Sequence, residues 1–257
     1  KTAWIIGTGP SLRNIDVSKL KDQDTITFNR AYIAFEEWGF EPTYYLSIDS
    51  NDLRSMYKDL NNLILNSNIK TFFLPTMFDN LEHPEESFQD GDKKEHLFVD
   101  SEKVYTIVDI PEPLGSANLA SLYDEDTVID DEERKVHTYL MGLKILKALG
   151  YNEIAFVGCD ARYRDDKESN KHITISGREY ISHADHDVNH FRSDYFGKGT
   201  RFGKPNEKWL IALWAFAAKQ LKHHMPHIKV YSCTENSNLN KYYHYIPFEK
   251  FLEGERE

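Results

Sequence analysis

The sequence predicts an open α/β architecture, a mainly parallel sheet with helices on both faces, and two observations carry that expectation. Short apolar runs of strand length alternate with helix-patterned segments from residue 3 onward, the ordering that β-helix-β units require. The run AWIIG (3–7) is nearly continuous in apolar character, as a strand covered on both faces must be, and NEIAFVGCD (152–160) reads as a strand following a helix. At 257 residues the chain can bury a sizeable core, and a single domain over 1–257 with one long polar lid insertion is the expected organisation.

The elements follow in order. After the first strand, SLRNIDVSKL (11–20) carries Leu12, Ile15 and Leu20 at roughly helical spacing, so a helix is predicted there. TITFN (25–29) reads as the second strand, RAYIAFEEWG (30–39) as a helix ending at Gly39, and TYYLSID (43–49) as the third strand. LRSMYKDLNNLIL (53–65) is an amphipathic helix, and KTFFLP (70–75) a strand closed by proline. The segments 79–103 and 123–135 are acidic and read as solvated connections. KVHTYLMGLKILKALGY (135–151) places Leu140, Leu143, Ile145, Leu146 and Leu149 on one broad helical face and stops at Gly150, before the strand 152–160. Residues 161–208 are polar, rich in His, Tyr, Arg and Gly, and too long for an ordinary connection, hence the lid. KWLIALWAFAAKQLKHH (208–224) is the last long helix, with basic residues that suit its C-terminal dipole, and KVYSCT (229–234) the last strand. Phe72, Phe73 and Phe156 belong to the core, and one of Tyr44 and Tyr45 is expected to face the site.

Composition narrows the function. A formal net charge of −11 argues against a broad nucleic-acid-binding face, while leaving room for a small anion in a local pocket. With 40% hydrophobic and 28% charged residues the chain reads as a globular protein. No apolar run approaches the roughly 18 residues of a transmembrane helix, and KTAWIIG lacks the features of a signal peptide, so a cytoplasmic protein is expected. The start at Lys1 is compatible with excision from something longer. Cys159 and Cys233 make no disulfide framework and no zinc spacing, and are expected as reduced, semi-buried thiols.

In sheets of this kind ligands collect beyond the carboxyl ends of the strands. The residues that fall there are Gly7-Thr8-Gly9-Pro10-Ser11, Asn29-Arg30, Asp49-Ser50-Asn51-Asp52, Gly158-Cys159-Asp160 and Ser232 to Ser237. Gly7 and Gly9 would permit a tight turn close to an anion, with the amides of the following helix aimed at it. Leu12 stands where a third glycine of GxGxxG belongs, so a nicotinamide dinucleotide site is disfavoured.

Taken in order, GTGPSL, FNRAY, YYLSID, IAFVGCD and SCTENSNL resemble the bacterial sialyltransferases of glycosyltransferase family 42. They also resemble a broader set of domains described as 6-hydroxymethylpterin diphosphokinase MptE-like, which includes flagellin glycosylation factors. The resemblance implies a Rossmann-like fold and transfer from a CMP-linked sugar to a glycan or protein acceptor. It implies that Gly7, Gly9, Pro10 and Ser11 cradle the donor, with Thr8 where the sialyltransferases carry Asn, and that Asn29, with Arg30 beside it, contacts the nucleotide. By the same resemblance Thr138, Gly158, Asp160 and Tyr163 join the donor site, as do Thr234 and Ser237 of the last turn.

Such a transfer needs a base for the acceptor hydroxyl, and histidine titrates in the right range. The resemblance places the base in the lid, where HADHDVNHFRSDYFGKGTRFG holds His183, His186 and His190. His190 is preferred because Arg192, Tyr195 and Arg201 lie near it in sequence and suit a phosphate. Two other readings stay open. The three histidines with Asp185 and Asp187 have ligand types that suit zinc. Asp49-Ser50-Asn51-Asp52 has DxxD spacing, explained by helix capping through Ser50 or Asn51 or by a magnesium ion held at Asp49. The expected enzyme needs no cofactor. Magnesium and ATP belong to the alternative, diphosphate transfer to a hydroxymethylpterin, and a non-catalytic nucleotide-sugar-binding module is the third possibility. An oligomer is compatible with all three.

Overall fold

A computed structural model describes residues 1–75, 78–79, 95–107, 138–164, 173–174, 179–183, 185–203 and 205–257. The strands are β1 (Thr2–Ile6), β2 (Thr25–Phe28), β3 (Tyr44–Leu46), β4 (Thr71–Pro75), β5 (Phe78–Asp79), β6 (Glu95–His96), β7 (Val104–Ile107), β8 (Glu153–Val157), β9 (Ile173–Thr174), β10 (Glu179–Ile181), β11 (Arg201–Gly203), β12 (Lys229–Ser232) and β13 (His244–Tyr245). The helices are α1 (Phe35–Trp38), α2 (Ser50–Asn66), α3 (Thr138–Ala148), α4 (Glu207–His224) and α5 (Phe248–Leu252).

Eight strands form one sheet in the order β13-β12-β8-β1-β2-β3-β4-β7, and every neighbouring pair is parallel. The fold class expected from the alternation is therefore present, a Rossmann-like α/β sheet. Side chains leave a strand alternately to its two faces, and the core divides accordingly. Trp4, Ile6, Ala155, Val157, Tyr45, Phe72 and Leu74 join Leu53, Met56, Leu60 and Ile64 of α2 on one face. Ala3, Ile5, Ile154, Phe156, Leu46 and Phe73 join α3 and α4 on the other, through Leu140, Leu143, Leu146, Leu213 and Trp214. Gly142 lets α3 lie directly on β2, since a Cβ there would stand 2.7 Å from the Phe28 ring.

Several local expectations change. The predicted helix over 11–20 is two short 3-10 turns, Pro10–Asn14 and Val17–Leu20, because Ile15 between them is extended at φ −118°, ψ 129°. The third strand stops at Leu46 rather than residue 49. Asp49 has left the sheet to start α2, its carbonyl accepting from Leu53 N–H (2.9 Å) and its carboxylate from Asp52 N–H (3.4 Å). The helix over 135–151 is described from Thr138, and Gly150 closes it at φ +84°, where a side chain would be strained. Strands 152–160 and 229–234 end at Val157 and Ser232.

The pattern missed the edge strands β7 and β13, the helix α5 and a separate antiparallel sheet, β11-β10-β9, built inside the polar segment 161–208. It also missed the short pair β5-β6, the first strand at the start of the first acidic connection and the second within it. Residues 80–94 and 123–135 of the acidic connections lie outside the described residues. Both cysteines are free and fully buried, deeper than expected. Among the described residues no helix is long and apolar enough to cross a membrane.

Candidate functional site

Sheet order reverses at β1: β2, β3 and β4 follow on one side, β8, β12 and β13 on the other. The connections from β1 and β8 therefore lead to opposite sides of the sheet, the switch point at whose carboxyl ends ligand sites of open α/β sheets lie. Three described residues other than glycine adopt positive φ, and all lie just past strands at this edge: Asn29 (+49°) after β2, Ala161 (+48°) after β8, and Asn236 (+58°) after β12. Asparagine tolerates that conformation, whereas alanine is strained there by roughly 1–3 kcal/mol. Ala161 is thus the strained residue of the three, and it lies at the carboxyl edge beside Asp160.

The first loop is zipped onto the β8 turn. Gly7 N–H donates to Val157 O and Gly9 N–H to Gly158 O, both at 2.8 Å. Both glycines are required by this approach: a Cβ on Gly7 would lie 2.8 Å from Cys159 Sγ, and one on Gly9 would run into the Asp160 carboxylate. Thr8 N–H donates to the Tyr139 hydroxyl (3.0 Å), and Ser11 donates to Asp160 through its hydroxyl (2.7 Å) and its amide (3.3 Å). The expectation that these amides aim at an anion is therefore corrected. Every amide from Gly7 to Ser11 already donates inside the protein, and Pro10 has none.

Thr8, Gly9, Pro10, Gly158, Asp160, Tyr163 and His190 nevertheless line one cleft. Burial raises the Asp160 carboxyl above its ordinary pKa, although the hydrogen bonds from Ser11 pull the other way. Burial, with Glu207 next, pushes the Tyr163 phenol up to about 12, so it stays a neutral hydroxyl. The side chain that α3 contributes is Tyr139, not the expected Thr138; its hydroxyl pairs with Thr8 Oγ1 at 2.7 Å.

His190 sits in a built environment. Its Nδ1 lies 2.8 Å from Asp187 Oδ2, and its ring stacks on Tyr195 with centroids 4.0 Å apart and planes 3° from parallel. Phe196 meets the ring edge-on at 4.9 Å. Burial tends to raise the Asp187 carboxyl, but the His190 hydrogen bond and charge outweigh it and hold it below its ordinary pKa. An ionised carboxylate only accepts, so Nδ1 carries the hydrogen that is donated to Asp187. Nε2 has no hydrogen-bond partner among the described residues.

The backbone around this dyad is clamped to the first loop. Arg13 donates from Nε to Phe191 O (2.9 Å) and from Nη2 to His190 O (2.6 Å) and Asp187 O (3.3 Å), while Phe191 N–H donates to Thr8 O (2.9 Å). Neither Arg13 nor Asp187 was singled out for such a role from the sequence. The DxxH spacing of Asp187 and His190 was the available signal for the second.

Other expected residues stand apart from the cleft. Tyr195 is buried, its hydroxyl accepting from Arg30 N–H at 3.3 Å, so it closes the space between the β1 and β2 ends. Asn29 accepts from Ser47 Oγ at 2.8 Å, and Arg30 Nη2 donates to Ser55 Oγ at 3.0 Å; neither lines the cleft. Thr234 and Ser237 are buried and brace the β8 turn, the first accepting from Cys159 N–H (3.2 Å), the second donating to Cys159 O (2.7 Å). Arg192 is not a phosphate clamp as it stands, because Asp194 takes Nε and Nη2 and Ile33 O takes Nη1. Arg201, His183 and His186 are exposed. Asp49 caps α2 through the Asp52 amide, while the side chains of Ser50 and Asn51, from which a cap was expected, lie outside the described residues.

Among the described residues no three His, Cys, Asp or Glu side chains come together in a way that would hold a metal ion. Asp187, one of the ligands of the zinc reading, is hydrogen-bonded to His190. Asp49, the residue of the magnesium reading, caps α2 through the Asp52 amide.

No family model matches the chain, and neither does any curated protein. Among solved structures it is similar to the MAf glycosyltransferase from Magnetospirillum magneticum AMB-1, at 15% identity and TM-score 0.49, over 99% of this chain and 34% of that one. The chain thus spans about a third of that protein's length. It is also similar to the sialyltransferase CstII from Campylobacter jejuni, solved with the substrate analogue CMP-3FNeuAc, at 17% identity and TM-score 0.47, over 96% of this chain and 86% of that one. At these identities neither likeness assigns an activity.

Proposed function

We propose that the chain is an inverting glycosyltransferase that takes a CMP-activated sugar as donor, a single domain in which the segment 161–208 supplies the catalytic base. The observation that carries this reading is the Asp187–His190 pair, locked by stacking on Tyr195, at the rim of the cleft where strand order reverses. The ordered motifs GTGPSL to SCTENSNL support the choice of a CMP-linked donor.

In this reading the acceptor hydroxyl gives its proton to His190 Nε2 as its oxygen bonds to the anomeric carbon. The bond from that carbon to the phosphate oxygen breaks, and its electron pair leaves with CMP. Asp187 holds the ring in the required tautomer and steadies the imidazolium that forms. Because the first-loop amides are spent, the hydroxyl of Tyr163 meets the donor from a side chain instead. The cleft offers about 30 Å³, far below the roughly 300–1,000 Å³ of small-molecule sites, so in this reading donor binding displaces a wall. The clamped segment 187–196 is that wall, held at Thr8 by the amide of Phe191.

Thermal shift with CMP, UDP, GDP and ATP, each with and without magnesium, tests the donor class. Protection by CMP that survives chelator is the expected result, and protection by ATP with magnesium alone would overturn it. Release of CMP from CMP-N-acetylneuraminate then tests the base, with His190→Ala losing turnover while CMP affinity is kept.

A further inference from the structure

A second hollow lies across a ridge made by Pro10 and Asp160, which line both it and the cleft. It encloses about 600 Å³, within the roughly 300–1,000 Å³ that small-molecule sites occupy. Ser11 and Arg13 form one wall, and Glu235, Asn236 and Tyr245 the other. Two of its hydrogen bonds reach the residues that line the cleft: Arg13 Nη2 holds His190 O at 2.6 Å, and Arg164 N–H donates to Asn189 Oδ1 at 2.8 Å. The hollow and the cleft thus share Pro10 and Asp160 and are tied together through Arg13 and Arg164.

Its chemistry disfavours a nucleotide. Arg13 spends Nε and Nη2 on backbone carbonyls, and the carboxylates of Asp160 and Glu235 balance the guanidiniums of Arg13 and Arg164. Glu249 is already paired with Lys19 at 2.7 Å. The side chains of Glu235 and Asn236 have no hydrogen-bond partner among the described residues, and the Tyr245 ring beside them is 36% exposed. A carboxylate and an amide with free acceptor and donor atoms suit pairs of hydroxyls, and an exposed amphipathic ring suits the C–H face of a pyranose.

We propose that this groove seats the acceptor, an uncharged hydroxyl-rich saccharide whose reacting hydroxyl is presented across the Pro10–Asp160 ridge to His190. The proposal rests on the transferase reading for its last clause only, since saccharide binding stands without turnover.

The test is saturation-transfer NMR on the whole protein with a panel of neutral di- and trisaccharides ending in galactose, glucose or an N-acetylhexosamine, each with and without CMP. Wild type, Glu235→Ala and Tyr245→Ala are compared, with circular dichroism confirming that both variants fold. At least one saccharide is expected to bind wild type, to bind alongside CMP, and to weaken about tenfold in each variant, while CMP affinity is unchanged. No binding from any member of the panel, or binding equal in all three proteins, overturns the groove. So does competition between saccharide and CMP joined to loss of CMP affinity in the variants, which would make the hollow the nucleotide's seat. Saccharide binding that depends on Glu235 and Tyr245 without any CMP binding keeps the groove and refutes the transferase reading instead.

Discussion

Replacing Asp52 by Asn should raise stability, and raise it more as pH increases. Asp52 is 6% exposed on the first turn of α2, and its Oδ1 has no partner among the described residues. Burial first, then the charge of Asp49, push its carboxyl from the ordinary 3.8 up to about 8, against the pull of Arg30. Between those two values the folded protein keeps a proton that the unfolded chain releases. A group with a raised folded pKa gives its full stability below the unfolded value and loses it as pH rises towards the folded one. Each pH unit in that window costs about 1.4 kcal/mol, so moving from about pH 5 to pH 7 costs about 3 kcal/mol. The Asp52→Asn protein has nothing at this position to titrate, while every other titrating group is common to both proteins. At roughly 2–4 °C per kcal/mol for a chain of this size, the Tm gap should widen by about 6–12 °C over that interval and level off above about pH 8. Calorimetry of both proteins across the range decides it. A gap that stays constant, or that widens only below about pH 4, would refute the burial argument.

Further expectations concern the loop and the dyad. His190→Ala should lower CMP release by about 10²- to 10⁴-fold with CMP affinity retained, as loss of a general base does; a smaller effect measured under saturating donor shifts the role elsewhere. Asp187→Asn should lower the same rate and change its pH profile, and because the Asp187 carboxyl is held below its ordinary value, the stability it lends should vanish as acid titration passes through that lowered value. Gly7→Ala forces a methyl against the β8 turn and should cost about 1–3 kcal/mol, read as a lower midpoint in urea. Arg13→Ala strips the donors from three carbonyls, and hydrogen exchange at the Phe191 amide should accelerate by an order of magnitude or more, as about 1–3 kcal/mol of local stability is lost.

The sheet was legible because its central strands are covered on both sides, which leaves an apolar run with no polar interruption in AWIIG and IAFVG. The pieces that escaped notice have no pattern of their own. His244–Tyr245 and Arg201–Gly203 are too short to show a period, and neighbouring strands impose their conformation. At the site, spacing located the carboxyl-end residues but not what they touch. Ser11 and Asp160 meet across 149 residues of sequence, and the Gly7–Cys159 approach is equally remote, so glycines read as room for an anion turn out to be room for a neighbouring turn. The choice of Thr138 over Tyr139 is an error of one residue in helical phase, about 100° around the axis. Asp187 was visible as a residue type, but only the stacked ring of His190 shows that the two act as a pair.

A turn whose main chain is wholly occupied with its own neighbour behaves as a rigid shelf, indifferent to what is laid on it. Selectivity is then written in replaceable lettering, the hydroxyls, phenols and carboxylates projecting over that shelf. Exchanging one of them can retune which molecule is welcomed without rebuilding the foundation beneath.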